Sequence, residues 1–471
     1  MKRAVTASAL GLVFAAGLAG CDQAAPEPAP SPTSSSSPSP TPTPDPVRLE
    51  VGVWGAEPEV AAYRDVLDAY DADNEALRLS LTVYDSRVEM MDAIRSGDVP
   101  DVFLADRDDL GYLLENRVTQ PLGERLDERD VDFGDDYSRA ALEAFSFDRD
   151  LQCMPYGVDP EVVYYNTDLV DFERMARREL DVPEFEPTRR VRWTLEQFRV
   201  AAEFATRPRQ GTRGFYVAPT LDGISPFLLS AGGRLYSSAS EPTSLSFSSD
   251  DSRSALETIL PVLRSAPLTL TDNQLAQQDA LSWFTEGRLG MIVGNRSLTP
   301  LLRAAEGLDF GVMPIPTVSS TKTVGDLTGL CISARTREIA AAANLMVHLI
   351  SGDAVREVVP AGYLVPANQT VALTEDFLQS DQQPARADVF TESLGQLHIS
   401  PVLMDPDRLR EVVNPAIARL LNVGVPNLEQ LTAAIDGASQ SVLLPPEDLQ
   451  DPENSDGSEV PEDSDRSADP S

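Results

Sequence analysis

An alternation of strand and helix patterns near the start of the chain constrains the fold more than any other feature. Its apolar residues recur at every second position in some stretches and at helical spacing in others. In chain order the patterns are strand 48–54, helix 60–70, strand 77–84, helix 88–94 and strand 101–106. Because a helix separates each strand from the next, the segment predicts a mostly parallel sheet covered by helices.

Polar and aromatic residues stand at the ends of these strands. Trp54, Asp85 and Asp106 end or directly follow the three strand patterns, and Arg107 comes next after Asp106. In open α/β sheets ligands bind beyond the carboxyl ends of the strands, so these residues are candidates for a binding site. The alternatives for each are a solvated surface position or a helix cap.

A second informative region runs from Leu151 to Asp168. It contains two short β-rich stretches, and Pro155, Gly157 and Pro160 interrupt them. We interpret it as the place where the chain passes from one lobe of a two-lobed protein to the other, the alternative being a core strand followed by a turn. If the chain crosses here, Tyr156 and Asp159 point into the gap between the lobes, where ligand pockets preferentially form.

Two segments resemble the family 1 extracellular solute-binding proteins of ABC importers. The first segment is the Pro-Tyr-Gly stretch at 155–157, which leads to Tyr-Tyr-Asn at 164–166 and is followed by Trp193 at the start of a helix pattern. The second segment is residues 280–303, which contain FTEGRLGM where the family has F-x-x-G-x-x-A-M. The resemblance implies an α/β, two-lobed periplasmic-binding-protein-like fold of type II. Each lobe is then a mostly parallel sheet flanked by helices, and crossover strands join the lobes.

The same resemblance implies a domain division and a function. Lobe I is expected at 47–157 and 328–375, and lobe II at 158–327 and 376–444. Such lobes close on a small polar solute, typically a sugar, and present it to the permease subunits of an ABC transporter. No cofactor is expected, and the protein is expected to be a monomer.

Several candidate ligand-binding residues follow from the family's pattern. Asp106 and Arg107 match a position where sugar-binding members bind their ligand, and Tyr363 lies in a segment that resembles the family's closing loop. With the strand-end and crossover residues, the full candidate set is Trp54, Asp85, Asp106, Arg107, Tyr156, Asp159, Asn295, Arg296, Asp326 and Tyr363.

The chain departs from the sugar-binding pattern at Ser297, where many members have a stacking Trp. The neighbouring Arg296 suits a bidentate bond to a carboxylate or phosphate. A neutral sugar and a charged solute therefore both remain open.

The chain contains two cysteines beyond its N-terminal region, Cys153 and Cys331, and their spacing fits no metal-binding motif. In the family these positions match neighbouring crossover strands. A disulfide between them is one expectation, and two buried free thiols are the alternative.

Both ends of the chain have compositions that do not form a core. Residues 1–20 have the features of a signal peptide, and Leu-Ala-Gly-Cys at 18–21 resembles a lipobox in which Cys21 is lipidated. Residues 21–46 form a Pro/Ser/Thr-rich linker that is expected to be disordered. Residues 445–471 are a strongly acidic tail, also expected to be disordered. These features predict a protein on the extracytoplasmic face of the cell membrane, held there by its lipid anchor alone.

The charge and the missing motifs exclude several functions. A net charge of −37 makes nucleic acid and anionic lipid poor partners, because the sequence shows no basic patch to neutralise phosphates. The chain has none of the common hydrolase, metalloprotease, P-loop or dinucleotide-binding motifs, so we expect a binding protein rather than an enzyme. Two alternatives remain, a ligand-sensing lipoprotein that reports to a signalling partner and, less favoured, a glycoside-active enzyme.

Overall fold

The computed structural model describes residues 45–131, 133, 136–185, 190–422, 424 and 427–444. The expected signal peptide (1–20), Cys21, the linker up to residue 44 and the acidic tail (445–471) lie outside the described residues. Among the described residues, no helix is long and apolar enough to cross a membrane.

The strands agree closely with the alternating patterns of the sequence. Their bounds are β1 Val47–Trp54, β2 Leu77–Tyr84, β3 Val102–Asp106, β4 Ser146–Phe147, β5 Asp150–Leu151, β6 Cys153–Pro160, β7 Val162–Asn166, β8 Arg213–Tyr216, β9 Leu289–Gly294, β10 Phe310–Pro314 and β11 Gly325–Ile332. The three strands predicted before residue 107 are confirmed to within one residue.

The helices connect and cover these strands. Their bounds are α1 Glu57–Asp73, α2 Arg87–Ser96, α3 Leu110–Glu115, α4 Gly123–Asp127, α5 Arg139–Ala144, α6 Phe172–Ala176, α7 Leu195–Ala205, α8 Leu221–Ser230, α9 Asp250–Leu263, α10 Asp272–Leu275, α11 Ala280–Thr285, α12 Thr299–Ala304, α13 Ile339–Leu349, α14 Gly352–Val358, α15 Gln369–Ala372, α16 Glu375–Leu378, α17 Asp388–Leu394, α18 Pro406–Asn422 and α19 Leu428–Leu443. A capping box between Thr194 and Gln197 starts α7, because each side chain bonds the backbone N–H of the other.

The first sheet has the strand order β2-β1-β3-β11-β6. Strand β1 pairs in parallel with β2 and β3, whereas β11 runs antiparallel to both β3 and β6. The second sheet has the order β10-β7-β9-β8, and only its β8–β9 pair is parallel.

Both sheets are therefore mixed, and the expectation of mostly parallel sheets is wrong. Strands that follow a covering helix on the same sheet, as β1 to β3 do, run parallel. Strands β7 and β11 instead enter from the other sheet, so they arrive from its opposite end and run antiparallel to their neighbours.

The chain crosses between the sheets at two strand connections. Only Glu161 separates β6 in the first sheet from β7 in the second, and residues 315–324 connect β10 back to β11. The expected disulfide joins Cys153 and Cys331, which face each other on β6 and β11 with a Cα–Cα distance of 4.3 Å. Both cysteines are fully buried, so the cross-link lies inside the core of the first sheet.

Buried apolar side chains form two clusters. The first surrounds the first sheet and α13 and extends to Tyr164 and Phe310 of the second sheet. The second contains Trp193 and Phe198 together with buried residues of α8, α9, α18 and α19. Trp193 is a packing residue, since it is 1% exposed and its indole N–H donates to the Pro314 carbonyl at 2.7 Å.

Candidate functional site

A polar cavity of about 90 Å³ lies where residues following β3 and on β11 meet helices α8 and α18. Its polar lining residues are Asp106, Arg107, Asp108, Glu161, Asp222, Ser225, Tyr236, Asp326, His398, Ser400 and Arg410. We call it the acidic cavity. Its first-sheet side comes from the carboxyl end of β3, which is where α/β sheets place their ligands.

The end of β3 holds its polar residues through a reciprocal cap. The Asp106 carboxylate accepts from the Asp108 N–H at 2.8 Å, and the Asp109 carboxylate accepts from the Asp106 N–H at 3.2 Å. Arg87 in α2 in turn donates to Asp109 at 2.5 Å. The sequence Asp-Arg-Asp-Asp therefore forms one 3₁₀ turn that fixes Asp106 and Arg107 at the cavity.

On β11 the cavity is lined by Asp326, whose side chain is exposed to it. The amide of Asn295, at the end of β9, donates to the Asp326 carboxylate at 2.7 Å. The other side of that amide accepts from the backbone N–H and the hydroxyl of Ser297, at 3.1 and 2.6 Å. Asn295 is thereby oriented so that its N–H faces Asp326.

Arg410 on α18 joins the two sides of the cavity by ion pairs. Its guanidinium donates to Asp108 at 2.5 Å and to both carboxylate oxygens of Asp222 at 3.1 Å. It also pairs with Asp407 on its own helix at 3.2 Å. Near it, Arg107 donates to the Ser400 carbonyl at 3.2 Å.

Three carboxyl groups of the cavity, those of Asp106, Glu161 and Asp326, have raised pKa values. Burial, followed by the charges of Asp326 and Asp222, raises the pKa of Glu161 to about 8. Burial raises the pKa of Asp106 well above its ordinary value, with the charges of Asp108 and Asp326 as further causes. The pKa of Asp326 is raised for the same kinds of reason, burial and then Asp108 and Asp222.

The structure brings together four of the sequence-based candidates. Asp106, Arg107 and Asp326 line the acidic cavity, and Asn295 bonds Asp326. The other six do not line it.

Tyr156 and Asp159 were expected to face a gap, and the structure corrects this. Tyr156 is 3% exposed and its ring packs 5.8 Å from that of Tyr63 on α1. Asp159 is 8% exposed, and its carboxylate accepts the Val365 N–H at 2.7 Å. The β-bulge where β6 pairs with Thr328 and Gly329 leaves Tyr156 without a partner on β11 and alters the alternation that the sequence pattern assumed.

Arg296 is also placed differently from the expectation, because it is fully buried. Its guanidinium lies 4.9 Å from the ring centre of Phe377 and 5.4 Å from that of Phe390, and it donates to the Phe377 carbonyl at 3.3 Å. Its Nε and Nη1 atoms have no partner among the described residues. Burial lowers the pKa of Arg296 to about 10. With no accessible surface, the expected bidentate bond to a ligand anion cannot form in this conformation.

The remaining three candidates lie outside the cavity. Trp54 packs against the first apolar cluster, and its indole N–H has no partner among the described residues. Asp85 is exposed after β2, where its own N–H donates to Glu89 at 2.6 Å. Tyr363 is half-buried.

Sequence reasoning missed much of the cavity lining. Asp222, Tyr236, His398 and Arg410 are separated by up to about two hundred residues and belong to helices or loops with no recognisable motif. Glu161 was not singled out, although its position between two strand patterns at the crossover was a usable signal. Among the described residues, no group of three or more His, Cys, Asp or Glu is arranged to hold a metal ion.

Comparison with solved structures defines the class of fold. An ABC substrate-binding protein from Listeria monocytogenes in complex with cycloalternan aligns with a TM-score of 0.70 at 18% identity, covering 84% of this chain and 99% of the other. The sugar-binding protein MalE from Xanthomonas citri gives 0.69 at 14% identity, covering 84% and 97%. The cyclic alpha-maltosyl-1,6-maltose binding protein from Arthrobacter globiformis gives 0.68 at 18% identity, covering 84% and 99%. The fold is that of the two-lobed substrate-binding proteins.

Residues 66–385 match the model of the family described as bacterial extracellular solute-binding protein. This is more than half of the chain, and the chain belongs to that family. A search of curated proteins found no match.

Proposed function

We propose that this protein binds a carbohydrate in the acidic cavity and delivers it to the permease of an ABC transporter. The observation that carries the proposal is the cavity itself, which lies at the carboxyl end of β3 and is lined from the other side by α8 and α18. Family membership supports a binding role rather than catalysis. The three solved structures reported above support a sugar, since two are sugar-binding proteins and the third is in complex with cycloalternan.

The cavity offers the polar groups that bind sugars in general. Carboxylates accept hydrogen bonds from hydroxyl groups, and Asn295 and Ser400 lie at or beside the same surface. The cavity has a volume of about 90 Å³, and the Arg410–Asp108 ion pair joins its two sides. We expect a saccharide to enter when α8 and α18 move away from the end of β3, which opens this ion pair.

We further propose that the two halves move as lobes with the boundaries 47–157 with 328–375 and 158–327 with 376–444. The strand order supports this division, since the first two of its three boundaries fall within β6 and β11, the strands at the crossovers. The third boundary falls within α16. A ligand shifts the equilibrium towards a closed form only through contacts made to both lobes. Lipidation of Cys21 would keep the protein at the outer face of the membrane.

The experiment that tests carbohydrate binding is a thermal-shift screen of the full-length protein with Cys21→Ser, which removes the lipid. The panel contains monosaccharides, oligosaccharides, sugar phosphates, sugar acids and polyamines, and calorimetry measures each hit. We expect saccharides to raise the melting temperature, and Asp106→Asn to weaken their binding by about tenfold or more. Asp65→Asn, an exposed carboxylate on α1, is the matched control.

The outcomes separate the alternatives. Binding by saccharides that Asp106→Asn weakens and Asp65→Asn does not supports the proposal. Binding by polyamines alone, or saccharide binding that is indifferent to Asp106, contradicts it. For the anchor, wild-type protein expressed in a bacterium should be found in the membrane fraction, and Cys21→Ser should be released from it.

A further inference from the structure

One side of the acidic cavity is closed by residues 400–410, which we call the strap. The strap consists of the loop before α18 and the first residues of that helix, and several of its side chains line the cavity. Leu403 and Leu409 anchor it in the second apolar cluster. Just before the strap, the His398 N–H donates to the Thr323 carbonyl at 2.8 Å, in the connection from β10 to β11. The strap is therefore held by the part of the molecule that surrounds the second cluster.

The turn after β3 faces the strap and belongs to the other part of the molecule. Leu104 of β3 and Met90 of α2 are members of the first apolar cluster. Among the described residues, no backbone–backbone hydrogen bond joins this turn to the strap. The hydrogen bonds between them use side chains, as where Arg107 donates to the Ser400 carbonyl at 3.2 Å. Such contacts break without disrupting any strand or helix, so the strap can separate from the turn.

Two ion pairs join the strap to the first-cluster side, and each side supplies one arginine. Arg410 of the strap donates to Asp108 at 2.5 Å, and Arg87 of α2 donates to Asp407 of the strap. The paired side chains are partly exposed, 29% and 30% in the first pair and 21% and 54% in the second. Ion pairs at this exposure are individually weak and are screened by salt. Together they favour the closed arrangement by a margin that is readily reversed.

A close steric contact at Gly111, the second residue of α3, accompanies the ion pairs. A Cβ atom at this position would lie 2.0 Å from the Leu403 carbonyl oxygen and 2.7 Å from its carbonyl carbon. Gly111 does not have a positive φ, so the helix itself does not require glycine there. Alanine has the higher helix propensity of the two residues. The missing side chain is therefore required by the approach of the strap and not by α3.

We propose that the strap is a latch that holds the acidic cavity closed through contacts of the protein with itself. The proposal rests on the division into lobes made above, with the strap in the lobe that contains the second cluster. Its ion pairs and its contact with Gly111 are complete within the chain, so closing requires no solute. A solute that enters only when the latch is open has its apparent affinity reduced by the fraction of latched molecules.

Small-angle X-ray scattering of the full-length Cys21→Ser protein tests the latch without any saccharide. Raising NaCl from about 0.1 M to about 1 M shortens the screening length from about 10 Å to about 3 Å and should weaken both ion pairs. We expect the radius of gyration to rise by about 0.5 Å or more as the lobes separate. Because no saccharide is present, the result does not depend on the carbohydrate-binding function.

A double variant on the same background removes the two cross-lobe ion pairs. Asp108→Asn with Asp407→Asn leaves Arg410 paired with Asp222 and Arg87 paired with Asp109, so neither arginine loses its last carboxylate. We expect the ratio of closed to open molecules to fall about fivefold, with a rise in the radius of gyration at low salt and little further rise at high salt.

The control for the double variant removes two charges from ion pairs within single helices. Asp92 pairs with Arg95 in α2, and Asp353 pairs with Arg356 in α14. Asp92→Asn with Asp353→Asn changes the net charge by the same amount as the double variant. It should keep the radius of gyration of the Cys21→Ser protein and its response to salt.

Gly111→Ala opens the latch by a steric route that involves no charge. The new methyl group cannot coexist with the Leu403 carbonyl, so we expect a rise of about 1 Å in the radius of gyration at low salt. Gly123→Ala in α4 is the control, because a Cβ atom there meets nothing within 4 Å. Melting temperatures show whether each variant is folded.

Two results would overturn the latch. The first is a double variant with the radius of gyration of the Cys21→Ser protein at low salt, since the ion pairs then do not hold the lobes. The second is a Gly111→Ala protein that either keeps that radius or fails to fold, since the strap is then fixed packing and not a movable contact. Larger radii for both folded variants, with both controls unchanged, support it.

Discussion

Asp159 and Asp326 are the same residue type and face each other on paired strands, yet they lie in different environments. Asp159, on β6, is 8% exposed, and its carboxylate accepts a hydrogen bond from the Val365 N–H in the segment that follows α14. Asp326, on β11, is open to the acidic cavity and is held by Asn295. Position along a crossover strand thus does not decide whether a side chain lines the cavity. The residues that pack over that side chain decide this.

The comparison extends to the regions around the two aspartates. The packed region contains Tyr156, the Cys153–Cys331 disulfide and Arg296, all shielded from solvent. The acidic cavity contains crowded carboxylates and one cross-cavity ion pair. We therefore expect substitutions in the packed region to change the free energy of unfolding, and substitutions in the cavity to change affinity.

The largest expected effect belongs to the disulfide. Cys153→Ala with Cys331→Ala removes a cross-link between residues 178 positions apart, and we expect the free energy of unfolding to fall by about 2–5 kcal/mol. Urea denaturation of the oxidised wild type and the double variant measures it. An unchanged unfolding midpoint would contradict a stabilising role for this region.

The next effect concerns the buried aspartate. Asp159→Ala leaves the Val365 N–H without its acceptor, so we expect a loss of about 1–3 kcal/mol in the free energy of unfolding. Asp159→Asn keeps an acceptor oxygen and should lose less, which makes it the matched control. If both variants unfold like the wild type, the contrast between the two aspartates has no energetic basis.

A third prediction uses the pKa of Glu161, which burial raises to about 8 from an ordinary 4.5. Between these values the folded state holds a proton that the unfolded state has lost, so the free energy of unfolding falls as pH rises. The charges of Asp326 and Asp222 contribute to the shift. Glu161→Gln lacks this titration. The melting temperature of the variant should therefore increase relative to that of the wild type as the pH rises from 5 to 8. A constant difference across this range would argue against a buried, titrating Glu161.

The smallest effect on stability is expected at Asp326. Asp326→Asn puts a neutral side chain of the same shape in place of a carboxyl group that opens onto the cavity and has a raised pKa, so the free energy of unfolding should change by less than about 0.5 kcal/mol. Urea denaturation beside Asp159→Ala provides the direct comparison. A loss as large as that of Asp159→Ala would remove the distinction between the packed region and the cavity.

The secondary structure was largely predictable from local signals. Apolar periodicity located β1 to β3 with α1 and α2 between them, and the helix pattern after Trp193 located α7. Family resemblance paired Cys153 with Cys331, which spacing alone did not. These features depend on neighbours in sequence or on motifs, so the chain reveals them without its fold.

The binding site was predictable only in part. Asp106, Arg107 and Asp326 follow from the rule that ligands meet the ends of strands and from the family pattern. Arg410 and Asp222 did not follow from any rule, because their role arises from ion pairs between helices far apart in sequence. Arg296 looked like a ligand contact because charged residues usually lie at surfaces, but Phe377 and Phe390 cover it.

The sequence by itself determined the α/β elements and the acidic character of the protein, and its family resemblance offered the pairing of Cys153 with Cys331 as one of two alternatives. The tertiary structure decided which carboxylates share a cavity, which one is buried, and where the opposing cation lies. The physical reason is that periodicity and capping act over a few residues, whereas burial and charge compensation depend on which distant segments the folded chain brings into contact.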